Sequence, residues 1–188
     1  MEPWQARGVF VTNHVLAGAS IGLLLGDRPL VAFGAGVASH FAMDACPHWG
    51  VDWVVPGAQD RFLRAARRDG CTGLGMMALG VALAVPAARR STALAMLGAV
   101  LPDFDKPFKH FFGGDLFPSW FDEFHGRIQR ESPDGFQQEL FAGVVLAGLF
   151  GALRASACRG SGRSAVVMVG TMPVMELPPV STMCLVAR

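Results

Sequence analysis

Apolar residues gather along this chain into stretches at about 8–25, 30–46, 71–88, 91–102 and 138–153, separated by charged or Pro/Gly-containing breaks such as Gly26-Asp27-Arg28-Pro29. Runs of this length bounded by turn residues read as helices and not as alternating strands. The pattern predicts an all-α fold of about five short helices. Several stretches are shorter than the ~20 residues that cross a bilayer, and only 71–88 comes close to a full span. Small residues recur inside them, as in Ala17-Gly18-Ala19-Ser20 and Gly34-Ala35-Gly36, and permit the close backbone approach common between membrane helices. Short turns near 26–29 and 88–91 predict antiparallel neighbours.

Composition changes the picture from a soluble bundle to a membrane one. The 188 residues are 52% hydrophobic and only 16% charged, with a mean hydropathy of +0.38, which is too apolar for an ordinary soluble domain of this size. An integral membrane bundle is expected, as one domain over 1–153. From Arg154 the text turns polar (Arg-Ala-Ser-Ala-Cys-Arg-Gly-Ser-Gly-Arg-Ser), then rich in Val, Met and Pro, with Gly170, Pro173, Pro178 and Pro179. Residues 154–188 are therefore expected to form an irregular, linker-like tail, with at most a short strand or interfacial segment at 164–172. The segment from Gly8 to Gly26 lacks a convincing cleavage site and is read as retained.

A net charge of +1, without a basic stripe interleaved with aromatics, excludes nucleic acid as an expected partner. The four cysteines, at 46, 71, 158 and 184, show no CxxC spacing, so neither a zinc knuckle nor a disulfide framework is expected.

The chemistry concentrates at helix ends. In Ser39-His40-Phe41-Ala42-Met43-Asp44-Ala45-Cys46-Pro47-His48, His40 and Asp44 are one helical turn apart on one face, and Pro47 stops the helix so that His48 can fold back. His14 lies in the first turns of the first apolar stretch, and the fourth ends in Leu101-Pro102-Asp103-Phe104-Asp105. Antiparallel hairpins bring all three motifs to one end of the bundle. Buried polar groups without partners cost about 1–3 kcal/mol each, so such a set calls for a compensating cation. His14, His40, Asp44, His48 and Asp103 are the expected metal ligands, with Asp103 alternatively a base and Asp105 supporting it as catalytic carboxylates. Mixed imidazole and carboxylate donors suit a divalent ion, zinc first, with manganese or iron as alternatives.

Loops on the motif side add His110, His125, Arg127 and Arg130. His125, near Gln129 and Glu131, is a candidate ligand or cover for the site. With Arg127 and Arg130 it forms the expected substrate-binding group, because guanidinium matches phosphate oxygens in pairs. Trp49, Trp53 and Trp120 share these loops with Phe108, Phe111, Phe112, Phe117, Phe121 and Phe124, the mixture of an interfacial belt. A membrane lipid or another phosphoester is the expected substrate. Arginines and lysines favour the motif end facing the cytoplasm.

The early His14, the 39–48 block and Gly98-Ala99-Val100-Leu101-Pro102-Asp103-Phe104-Asp105 together resemble the bacterial membrane-bound, metal-dependent hydrolases. These are described as LexA-regulated inner-membrane hydrolases, distantly similar to zinc-dependent phospholipase C. The resemblance spans roughly residues 8–150. It implies a multi-pass protein of the bacterial inner membrane, with metal-site residues at His14, His40, Asp44, His48, Asp103 and Asp105. This chain lacks the Thr-His-Ser element that family members often carry after Pro-Asp-x-Asp. Two other classes stay open: a cation- or proton-handling transporter, and a structural membrane protein whose helix ends are tied by a metal.

Overall fold

A computed structural model describes residues 10–49, 57–132 and 134–167. Trp53, Gly170, Pro173, Pro178, Pro179 and Cys184 lie outside the described residues, as do the side chains of Arg61, His110, Phe111 and Glu131. Among the described residues the fold is all-α apart from one pair of three-residue strands. In chain order it comprises α1 (Val11–Leu25), α2 (Pro29–Asp44), β1 (Pro47–Trp49), α3 (Ala58–Leu83), α4 (Arg89–Val100), α5 (Asp105–Phe112), α6 (Ser119–Ile128), β2 (Arg130–Ser132) and α7 (Phe136–Val167). Short 3-10 turns at Pro86–Ala88 and Leu101–Phe104 flank α4.

Proline and glycine set the boundaries. Gly26, at φ 61°, turns the chain out of α1, and Pro29 opens α2, where its fixed φ and missing N–H cost nothing. Pro86 opens the first 3-10 turn and Pro102 is the second residue of the other, and together they delimit α4. The first turn of α1 lacks a local cap. Asp69 of α3 supplies one, accepting from the amides of Val11 (2.6 Å) and Thr12 (3.2 Å) and from the Thr12 hydroxyl (2.7 Å).

Helix α4 packs against both α1 and α2, while α3 and α7 pack on α1. Glycines make these approaches close enough for backbones to touch. A Cβ on Gly18 would sit 2.7 Å from the Ala95 carbonyl, and one on Gly22 would strike the backbone of Thr92. One on Gly36 would meet the Ala95 carbonyl, and one on Gly98 the Phe33 carbonyl. Beneath these contacts lies an apolar core of Val15, Ala19, Leu23, Ala84, Ala88, Met96, Val100 and Phe150. Since α1 and α4 are antiparallel, as are α1 and α2, the start of α1 meets the ends of α2 and α4.

Three features differ from the sequence-based expectation. The stretch near 71–88 is not a separate span, because it is the second half of α3, whose first half carries Asp60, Arg64, Arg67, Arg68 and Asp69. Among the described residues, the one helix long and apolar enough to cross a membrane is Phe136–Arg159, 24 residues with 6% of its apolar window buried. Its helix also runs past Arg154 to Val167, where a linker was expected; Arg154 donates from Nε to the Leu83 carbonyl at 2.8 Å, tying it to the end of α3. Finally, the motif-side loop expected around His110 and His125 holds α5 and α6, and a parallel β1–β2 ladder (Pro47↔Arg130, His48↔Glu131, Trp49↔Ser132) joins the end of α2 to the end of α6. Two three-residue strands carry too little pattern to be read from sequence.

Candidate metal centre

Four side chains from three parts of the chain meet at the end where α2 and α4 finish. His40 and Asp44 come from the last turns of α2, Asp103 from the 3-10 turn after α4, and His125 from α6. Each offers one donor atom, and the four donors lie within 4.8 Å of one another. The Nε2 of His125 is 2.7 Å from Asp44 Oδ2 and 3.1 Å from His40 Nε2. His40 Nε2 is 3.3 Å from Asp44 Oδ2, and Asp103 Oδ1 is 3.9 Å from both ring nitrogens. Four donors held about 2.0–2.1 Å from one tetrahedral ion are separated by about 3.3 Å, within the range of these distances.

Among the described residues, hydrogen bonding leaves one atom of this set, Asp44 Oδ1, without a partner. With the His40 Nδ1 proton donated to the Ala99 carbonyl at 2.8 Å, Nε2 keeps its lone pair. The His125 Nε2 faces Asp44, His40 and the amide nitrogen of Gln129 (3.3 Å); a proton on Nε2 serves Asp44 or His40, and a lone pair there serves the Gln129 donor. Gln129 also donates to Asp44 Oδ2 at 3.1 Å.

His14 sits against the same carboxylate. It is fully buried and stacks on His40 with ring centroids 4.1 Å apart. Its Nε2 is 3.4 Å from Asp44 Oδ1. Among the described residues, both His14 ring nitrogens and Asp44 Oδ1 are buried without a hydrogen-bond partner, an arrangement that costs about 1–3 kcal/mol per orphaned group unless a cation compensates it. The donor set and its orphaned atoms fit a divalent ion with nitrogen and oxygen ligands.

Asp103 has its own counter-ion. Lys106 donates from Nζ to Asp103 Oδ1 at 2.7 Å. Burial favours the neutral acid, but the Lys106 ammonium beside it outweighs that and holds the Asp103 carboxyl below the usual carboxylate range.

The remaining candidates from the sequence lie elsewhere. His48 is buried in β1, its Nδ1 2.7 Å from the Cys46 carbonyl, and is outside the four-donor group. Asp105 accepts from the Leu116 amide at 2.6 Å and groups with Asp115 and Asp122. Arg127 pairs with Glu123 at 3.2 Å on the exposed face of α6, and Arg130 is exposed on β2. His125, read from the sequence as a candidate ligand or cover and grouped with the substrate-binding arginines, contacts Asp44 directly. Sequence reasoning passed over Lys106 and the role of Gln129; their spacings, i+3 from Asp103 and i+4 from His125, were the available signals.

Comparison with known protein families, curated proteins and solved structures gives no match to this chain.

Proposed function

We propose that this protein is a metal-dependent hydrolase of the bacterial inner membrane, acting on a phosphoester or lipid-like substrate, with the metal-motif end facing the cytoplasm. The observation that carries the reading is the convergence of His40, Asp44, Asp103 and His125, beside buried His14, in one cluster at the end of an apolar bundle. Zinc suits two imidazoles and two carboxylates best, and manganese and iron are alternatives. A bound divalent ion supplies a Lewis acid and lowers the pKa of water.

The chain's own residues divide the remaining work. Ala99 holds the His40 ring so that Nε2 points inward, and Gln129 orients the Asp44 carboxylate. Asp103, kept ionised beside Lys106, serves as ligand or proton acceptor. Lys106, partly exposed, puts a positive charge within reach of an anionic substrate. Asp105, bonded to Leu116, fixes the loop between α5 and α6 and supports the site at a distance.

The test is hydrolysis of a panel of phosphomonoesters, phosphodiesters and phospholipids by detergent-purified protein with added zinc, before and after chelation. Activity that vanishes on chelation and in folded His40→Ala supports hydrolysis. Inactivity of the metal-loaded protein across the whole panel counts against it. A cation- or proton-handling transporter is the second reading, favoured by the buried hydroxyls of Ser91 and Thr92, which have no partner among the described residues and stand at the start of α4, away from the metal end. Metal uptake into proteoliposomes tests it.

A further inference from the structure

Among the described residues, none packs over the outer side of helices α5 and α6. Phe112 is 76% and Trp120 66% exposed, and Phe104, Leu116 and Phe124 are exposed as well. On α6, Trp120 and Phe124 are one turn apart, and the ion pair Glu123–Arg127 occupies the adjacent stripe. An apolar stripe flanked by charges on a short helix is the pattern of a segment lying in a membrane–water interface.

The position of these helices relative to α7 names the occupant. Phe136–Arg159 has 24 residues, about 36 Å of helix against a hydrocarbon layer about 30 Å thick. Its start is fixed at the metal end of the bundle. Asn13, next to His14, donates from Nδ2 to the Glu139 carbonyl at 3.0 Å and to its carboxylate at 2.5 Å, and Gly135 packs against the backbone of His48 and Trp49. The metal-centre residues therefore stand level with the entrance of the one long apolar helix. Helices α5 and α6, attached to that end through Asp103 and His125, stand at the depth of the lipid headgroups.

We infer that α5 and α6 form a docking surface for a phospholipid bilayer, their exposed aromatic face sunk into the headgroup layer beside the metal centre. The inference rests on the membrane part of the proposed function and is independent of hydrolysis. It places the approach to His125 and Lys106 among headgroups, so that a substrate reaches them from the bilayer surface.

Site-directed spin labelling of the full chain in phosphatidylcholine/phosphatidylglycerol nanodiscs tests this. Cys46, Cys71, Cys158 and Cys184 are replaced by serine, and a nitroxide is placed singly at Phe112→Cys, Trp120→Cys, Glu123→Cys or Val144→Cys. Collision with oxygen reports lipid exposure, and collision with a water-soluble nickel chelate reports aqueous exposure. The expected oxygen-to-nickel ratio is several-fold higher at 112 and 120 than at 123, and highest at 144 on the outer face of α7. Aqueous values at 112 and 120 with a lipid value at 144 would overturn the docking surface and leave the membrane reading intact. Aqueous values at all sites would overturn both. Phe104→Cys and Leu116→Cys replace any variant that loses helical circular dichroism.

Discussion

The Nδ1 of His40 lies 2.8 Å from the carbonyl oxygen of Ala99. Ala99 is in the last turn of α4, where backbone carbonyls have no partner within the helix. One bond thus satisfies a helix end and selects the His40 tautomer whose Nε2 faces Asp44, Asp103 and His125. The packing of α4 against α2, set by Gly36 and Gly98, is what brings that carbonyl to the ring.

His125→Ala removes a donor that touches Asp44, whereas Asp105→Asn alters a carboxylate bonded to the Leu116 amide. His125→Ala is expected to lower divalent-ion affinity by at least about tenfold, and Asp105→Asn to leave it within a few-fold of wild type. Competition with a chromophoric chelator in detergent measures both. Equal affinity in wild type and His125→Ala would remove His125 from the site.

Gly22→Ala drives a methyl group into the backbone of Thr92, and Gly36→Ala drives one into the Ala95 carbonyl. Each is expected to cost about 1–3 kcal/mol through overpacking. Gly34→Ala meets nothing within 4 Å and should be neutral or stabilising by up to about 1 kcal/mol, since alanine is the better helix former. Thermal unfolding in one detergent compares the three; a Gly22→Ala variant as stable as Gly34→Ala would contradict the close α1–α4 approach.

Asp69→Ala strips the start of α1 of all three hydrogen bonds from Asp69. A loss of about 1–2 kcal/mol is expected, as for removal of a helix cap. Amide hydrogen exchange should show the first turn of α1, just before His14, losing protection ahead of the rest of the helix. Uniform protection in the variant would show that the cap is dispensable.

The sequence made part of this arrangement legible. Apolar stretches and short turns place His14, His40, Asp44 and Asp103 at one end of an antiparallel bundle, because hairpin geometry follows from turn length. His125 and Gln129 were visible only as a spacing on an amphipathic segment, since their arrival at Asp44 depends on the β1–β2 ladder, whose six residues carry no pattern of their own. The long apolar helix was sought at 71–88, yet α7 continues through Arg154 because Arg, Ala and Ser sustain a helix that the polar text suggested would end. Asp69 acts across the chain from α1, and no local signal announces such a cap.

The most direct measurement is the metal content of detergent-purified protein by elemental mass spectrometry, wild type beside His40→Ala and Asp44→Ala, with circular dichroism to establish folding. Near-stoichiometric zinc, manganese or iron in the wild type, lost in both folded variants, is the expected result. A wild type that holds no metal after reconstitution with each of the three ions would contradict the metal centre.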